Sequence, residues 1–205
     1  MDEILEQLVG MRTVSANKAA STECIDYCAE LLRDAGMHVD TFTSDGFPSL
    51  VATSKDTIHP KLLLQSHIDV VPAPDEAFSV TKYEGKLYGR GVYDMKFAAA
   101  CFLAAAQELK DDMEKYDFGI MLTSDEEGDG ENGVKFLLET GYRTSVCLLP
   151  DGADSWRVEE GAKGAWRILA EANGKTAHAS RPWEGDSAID AMLSLVRAHG
   201  IRPEQ

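Results

Sequence analysis

Apolar residues fall into short blocks whose period changes along the chain. Ile4, Leu5, Leu8 and Val9 recur at helical spacing and predict an N-terminal helix. A second helix follows the cap candidates Ser21 and Thr22, carries Ile25, Cys28, Leu31 and Leu32, and stops at Gly36. His38 to Ser44 and Ser49 to Thr53 read as strands. Leu62-Leu63-Leu64 reads as a buried strand that runs into Ser66-His67-Ile68-Asp69. An alanine-rich helix follows Asp94, through Phe97, Cys101, Phe102 and Ala105 to Leu109. Phe118 to Thr123 is another buried strand, ending in Ser124-Asp125-Glu126-Glu127, and Val134 to Glu139 looks helical. Val146 to Leu149 is a third apolar strand, ending in Pro150-Asp151-Gly152. Strands alternating with helices predict an α/β fold, a largely parallel mixed sheet flanked by helices.

From Ala165 the pattern changes. Trp166, Ile168 and Ala170 alternate with Arg167, Leu169 and Glu171, as in a half-exposed strand ended by Asn173-Gly174. Thr176 to Asp186 is polar and loop-like. Asp186 or Ser187 then caps a helix with Ile189, Met192, Leu193 and Val196, and Gly200 stops it. The expected organisation is an α/β domain over 1–164 and the start of a second, strand-plus-helix domain over 165–205.

Composition narrows the function. Of 205 residues 44% are hydrophobic and 27% charged, a globular profile. The net charge of −15 argues against a nucleic-acid partner and is compatible with cations or with plain solubility. No apolar run approaches the roughly 20 residues of a bilayer span, and the acidic start Met1-Asp2-Glu3-Ile4 is no secretory signal. Cys24, Cys28, Cys101 and Cys147 form no C-x-x-C pair. Cys24 and Cys28, one helical turn apart, suit a disulfide poorly. A reduced, cytoplasmic protein is expected.

The chemistry collects at strand ends. His67 with Asp69, Glu126 with Glu127, and Asp151 each close an apolar strand, and Asp94 opens a helix. In open α/β sheets the functional crevice lies beyond the carboxyl ends of the strands. One imidazole with several carboxylates suits Zn²⁺, Co²⁺ or Mn²⁺. Each piece alone has a plainer explanation: a structural histidine, a helix cap at Asp94, an acidic solvated loop over Asp125 to Glu131, a turn at Asp151. Together they point to a metal centre. Gly89 and Gly91 do not extend into a dinucleotide fingerprint, and no G-x-S-x-G elbow is present. Glu126 and Glu127 are neighbours, unlike the carboxylates that flank a glycosidic bond.

In order, these segments resemble the co-catalytic zinc amidohydrolases and peptidases, the family of acetylornithine deacetylase, succinyl-diaminopimelate desuccinylase, aminoacylase and carboxypeptidase G. Leu62 to Pro72 resembles the first metal motif, Leu87-Tyr88-Gly89-Arg90-Gly91-Val92-Tyr93-Asp94-Met95-Lys96 the second, and Thr123 to Gly128 the third. Pro150-Asp151-Gly152 fits the place of the fourth. Gly174-Lys175-Thr176-Ala177-His178-Ala179-Ser180, followed by Pro182, Gly185, Ala188 and Ile189, resembles the lid-domain motif.

The resemblance implies a zinc-peptidase-like catalytic domain and the beginning of an α+β lid and dimerisation domain. It implies that His67 and Asp151 bind one Zn²⁺, that Asp94 bridges two, and that Glu127 binds the second. Asp69 would orient His67, Glu126 would act as general base, and His178 would stabilise the oxyanion. The implied substrate is a small N-acylated amino acid or dipeptide. Relatives are nearly twice as long and supply a further histidine to the second metal. His38, His59 and His199 do not stand in its place, so the second site is expected to be incomplete. Relatives dimerise through lid strands that this chain is expected to lack. The alternative expectation is an inactive fragment that binds one metal weakly, or only a partner chain.

Overall fold

The structure, a computed structural model, describes residues 1–128, 130–151, 158, 160–161 and 169–200. The chain divides into two compact units, Met1–Arg157 and Val158–Gln205.

The first unit is built on a five-stranded mixed sheet. Its strands are β1 (His38–Ser44), β2 (Phe47–Thr53), β3 (Leu62–His67), β6 (Phe118–Thr123) and β7 (Val146–Leu148), in the order β1-β2-β6-β3-β7. β3 runs parallel to both β6 and β7, whereas β2 is antiparallel to β1 and β6. The register pairs His67 with Thr123 and Leu64 with Leu148. The chain therefore leaves β3, β6 and β7 at the same sheet edge, where the predicted site residues follow.

Helices α1 (Asp2–Gly10), α2 (Lys18–Asp34) and α3 (Phe97–Glu108) belong to the main core. Leu5, Leu8, Ile25, Leu32 and Leu103 are buried there with Leu50, Ile120 and Leu122 of the sheet. A smaller cluster joins Val51, Leu63 and Met121 to Leu137 of α4 (Phe136–Glu139) and to Tyr142. Successive residues of β6 alternate between the two clusters, so this strand has no polar face and reads as a continuous apolar run. Each leucine buried in this way contributes about 1.5–3 kcal/mol.

Several expectations change in detail. α2 starts at Lys18 rather than after Ser21. Its cap is Asn17, whose side-chain oxygen accepts from Ala20 N at 3.2 Å, and Ser21 lies buried within the helix. β7 is not buried: Val146, Leu148 and Leu149 are exposed at the sheet edge. The hydrophobic pattern does not predict the hairpin of β4 (Thr81–Tyr83) and β5 (Lys86–Tyr88). Its turn residues Glu84 and Gly85 both have positive φ, 50° and 73°, matching the twist of the flanking strands. The expected strand residues Trp166, Arg167 and Ile168, the boundary at 164–165, and Gly152 lie outside the described residues.

In the second unit Lys175 and Asp186 form an antiparallel bridge. Ser187, not Asp186, caps α5 (Ala188–Ala198), accepting from Asp190 N at 3.1 Å. Ile189 and Leu193 of this helix are exposed. No helix among the described residues is long and apolar enough to cross a membrane.

Candidate metal centre

β3 delivers His67, whose side chain is fully buried. Its Nδ1 lies 3.0 Å from the main-chain carbonyl oxygen of Asp69 and 3.4 Å from Asp69 Oδ1. Both are acceptors, so Nδ1 carries a proton and Nε2 faces outward. Nε2 lies 3.1 Å from Asp94 Oδ1 and 3.6 Å from Glu126 Oε2.

Asp94 sits in a wide turn, Val92–Lys96, between Gly91 and α3, and is not the cap of that helix. Gly91 has φ +77°, and a Cβ there would stand 2.6 Å from Val70 Cγ1. Glycine is needed on both counts. Ser66 Oγ donates to Met95 O at 3.2 Å and ties β3 to the turn. The Asp94–Met95 peptide bond is cis.

Buried Asp69 gathers three donors. Its Oδ1 accepts from Glu126 N at 3.2 Å. Its Oδ2 accepts from Glu127 N at 3.0 Å and from Ser15 Oγ at 3.3 Å. One carboxylate thus fixes the backbone of both glutamates while its own carbonyl orients His67. The segment after α1 supports this loop: Thr13 Oγ1 donates to Ile68 O, and Val70 N donates to Thr13 O at 3.0 Å. Nothing periodic in the sequence marks Thr13 or Ser15 as neighbours of the site.

Asp125 is buried, not part of a solvated loop. Its Oδ2 accepts from Asn132 N at 2.6 Å, and its carbonyl accepts from Gly128 N and Gly130 N. Asp129 lies outside the described residues.

Among the described residues, one ligating atom each of His67, Glu126 and Asp151 lies within 4.8 Å of the others. Glu126, expected as a base, is a member of this group. Glu127, expected as a ligand, is not, although the charge of Asp94 acts on it. Burial alone would lower the pKa of His67. The hydrogen bond and charge of Asp69, with the charges of Glu126 and Asp94, outweigh it and raise the imidazole to about 9. Burial raises Glu126; the charge of His67 opposes this, and Asp151, Glu127 and Asp69 add to it. Burial, followed by the charge of Asp94, raises Glu127. Crowded carboxylates that resist ionising around one imidazole are a donor set that a divalent cation fits.

His178 belongs to the second unit. Its Nδ1 accepts from Ser180 N at 3.2 Å and lies 2.8 Å from Ser180 Oγ. In the neutral ring the proton is therefore on Nε2, which is left as a donor. The side chain borders a hollow of about 180 Å³ with Lys175, Pro182 and Asp186. His38, His59 and His199 are exposed.

The family model "Peptidase family M20/M25/M40" matches residues 63–196. A succinyl-diaminopimelate desuccinylase of Rickettsia akari (strain Hartford) is 27% identical over 94% of this chain and 55% of its own length. Another, of Paracoccus denitrificans (strain Pd 1222), is 32% identical over 82% of this chain and 48% of its own length. The chain thus spans about half the length of these curated relatives. A tripeptidase of Staphylococcus aureus subsp. aureus mu50 shares the fold, with a TM-score of 0.62 and 21% identity over 95% of this chain and 54% of that one.

Proposed function

The chain belongs to peptidase family M20/M25/M40, and on that footing we propose that it carries the metal centre of an enzyme that hydrolyses amide bonds. The observation that carries the reading is the convergence of His67 with Glu126 and Asp151 at the carboxyl edge of the sheet. We assign residues 1–164 to the catalytic domain and 165–205 to the beginning of a lid. His67 and Asp151 would hold one Zn²⁺, Asp94 would bridge to a second, and Glu127 would serve that second ion. Bound Zn²⁺ supplies Lewis acidity, lowering the pKa of water to about 7 and polarising the substrate carbonyl.

The chain's own groups supply the proton transfers. Glu126, exposed beside His67, takes a proton as the water oxygen adds to the amide carbon. It returns that proton to the nitrogen as the C–N bond breaks, leaving a carboxylic acid and an amine, and the acid's proton then passes to the amine to give carboxylate and ammonium. The Nε2–H of His178 is the donor assigned to the developing oxyanion. The names of the sequence relatives favour a small N-acylated amino acid as substrate. The four thiols are unpaired, which supports a reducing, cytoplasmic setting.

The test is Zn²⁺ loading of the purified chain, followed by release of free amine from N-succinyl and N-acetyl amino acids. Bound metal and hydrolysis, both lost in H67A, are expected. A chain that takes up no Zn²⁺, or whose turnover survives a chelator, overturns the reading.

A further inference from the structure

Lys96 is the largest side chain fully buried in the molecule's described residues, and it lies two positions after Asp94. A buried ammonium is costly unless it is paired. An apolar side chain of the same length would fill the space without that cost. The placement of this one explains it. Lys96 Nζ donates to Leu8 O at 2.7 Å, near the C-terminal end of α1. The last carbonyls of a helix have no intrahelical partner and attract positive charge. The main-chain N–H of Lys96 donates to Gly91 O at 2.8 Å and closes the turn that presents Asp94. α1 in turn leads directly into Thr13 and Ser15, which hold Ile68, Val70 and the carboxylate of Asp69.

We propose that Lys96 is a positioning residue of the metal centre. Its ammonium, tied to the Leu8 carbonyl, fixes the turn bearing Asp94 against the segment that holds the His67–Asp69 loop. The two sides between which His67 and Asp94 face each other are thereby joined beneath the site. A lysine that only caps α1 would affect the helix end; a positioning lysine also governs the turn over 91–97.

The metal-affinity part of this inference rests on the function proposed above; the part concerning the turn does not. The test compares the wild-type chain with K96M in two measurements. Amide hydrogen exchange of Val92, Lys96 and Phe97 in the metal-free proteins is expected to quicken by about tenfold or more, with Leu103 of α3 unchanged as the internal control. Co²⁺ affinity, from competition with a chromogenic chelator, is expected to fall by about 10–100-fold. If K96M does not fold, K96Q, which also lacks the charge and is too short to reach Leu8 O, carries the same comparison. Unchanged exchange in the turn overturns the proposal, and so does unchanged Co²⁺ affinity where the wild type binds the ion. A wild type that binds no metal removes the proposed function, and the exchange comparison then decides alone.

Discussion

Asp94 Oδ1 stands 3.1 Å from Nε2 of His67, the ring nitrogen that the Asp69 carbonyl leaves free. A proton on that nitrogen does part of what a cation would do, by neutralising carboxylates around a buried ring. A metal ion must displace it. Because the imidazole is raised to about 9, Zn²⁺ affinity should climb roughly tenfold per pH unit between pH 6.5 and 8.5. Chelator competition at four pH values measures the slope, and a flat profile contradicts the protonated pairing.

The same proton affects stability in the opposite sense. His67 binds it with a pKa of about 9 when folded against 6.5 as the ordinary value. The folded state therefore holds more protons between these values, and stability falls as pH rises. The contribution is fully present below pH 6.5 and is lost on passing pH 9, with a ceiling of about 3 kcal/mol at 1.36 kcal/mol per unit. Urea unfolding of the metal-free chain at pH 6.5 and 9 should show the loss, and H67Q should remove most of it.

Glu126→Gln keeps the size of the side chain and removes its basicity. In the zinc-loaded chain it should lower kcat by about 10²–10⁴-fold, with the zinc content retained. Because Glu126 lies within the His67–Asp151 group, zinc content is the discriminating readout. Loss of metal in E126Q would make this residue a ligand instead of a base.

Gly91→Ala places a methyl group 2.6 Å from Val70 Cγ1 and 3.3 Å from Lys96 Cδ, at a φ of +77°. The expected cost is about 1–3 kcal/mol from overpacking, with added strain from the backbone. Thermal unfolding reads the stability loss, and weaker Zn²⁺ binding reports displacement of Asp94. A variant as stable as the wild type contradicts the described turn.

His178→Ala tests the donor in the second unit. If its Nε2–H meets the oxyanion, kcat should fall by about 10²–10³-fold, while zinc stoichiometry and the unfolding of the first unit stay unchanged. Equal turnover in H178A removes His178 from the mechanism.

Much of this arrangement was legible in the amino-acid order. Leu62 to Leu64 and Phe118 to Thr123 lack a polar face because their side chains alternate between the main core and the smaller cluster on the other side of the sheet. The chemical groups directly after them mark the sheet edge. Other features carry no such signature. An apolar run does not reveal whether neighbours exist to cover it, and so the exposure of Val146 and Leu148 was hidden. Asn17 and Ser21 are equally good caps on paper, and packing decides between them. The bond from Ser15 to Asp69 spans 54 positions, and no local pattern encodes it. Lys96 looks like any lysine near a helix start, because its burial depends on where α1 ends.

The first fifteen residues have a bearing on how this protein can be divided. The stretch that identifies the family begins at residue 63, yet Thr13 and Ser15 hold the loop behind His67, and β2 supplies a neighbour on which β6 depends. Trimming to the recognisable segment would leave every expected metal-binding side chain present in the gene. It would also strip away Thr13 and Ser15, the helices α1 and α2, and the strands β1 and β2. The recognisable part and the excisable part are different pieces of polypeptide, and a minimal version designed from motifs alone would carry the chemistry without its frame.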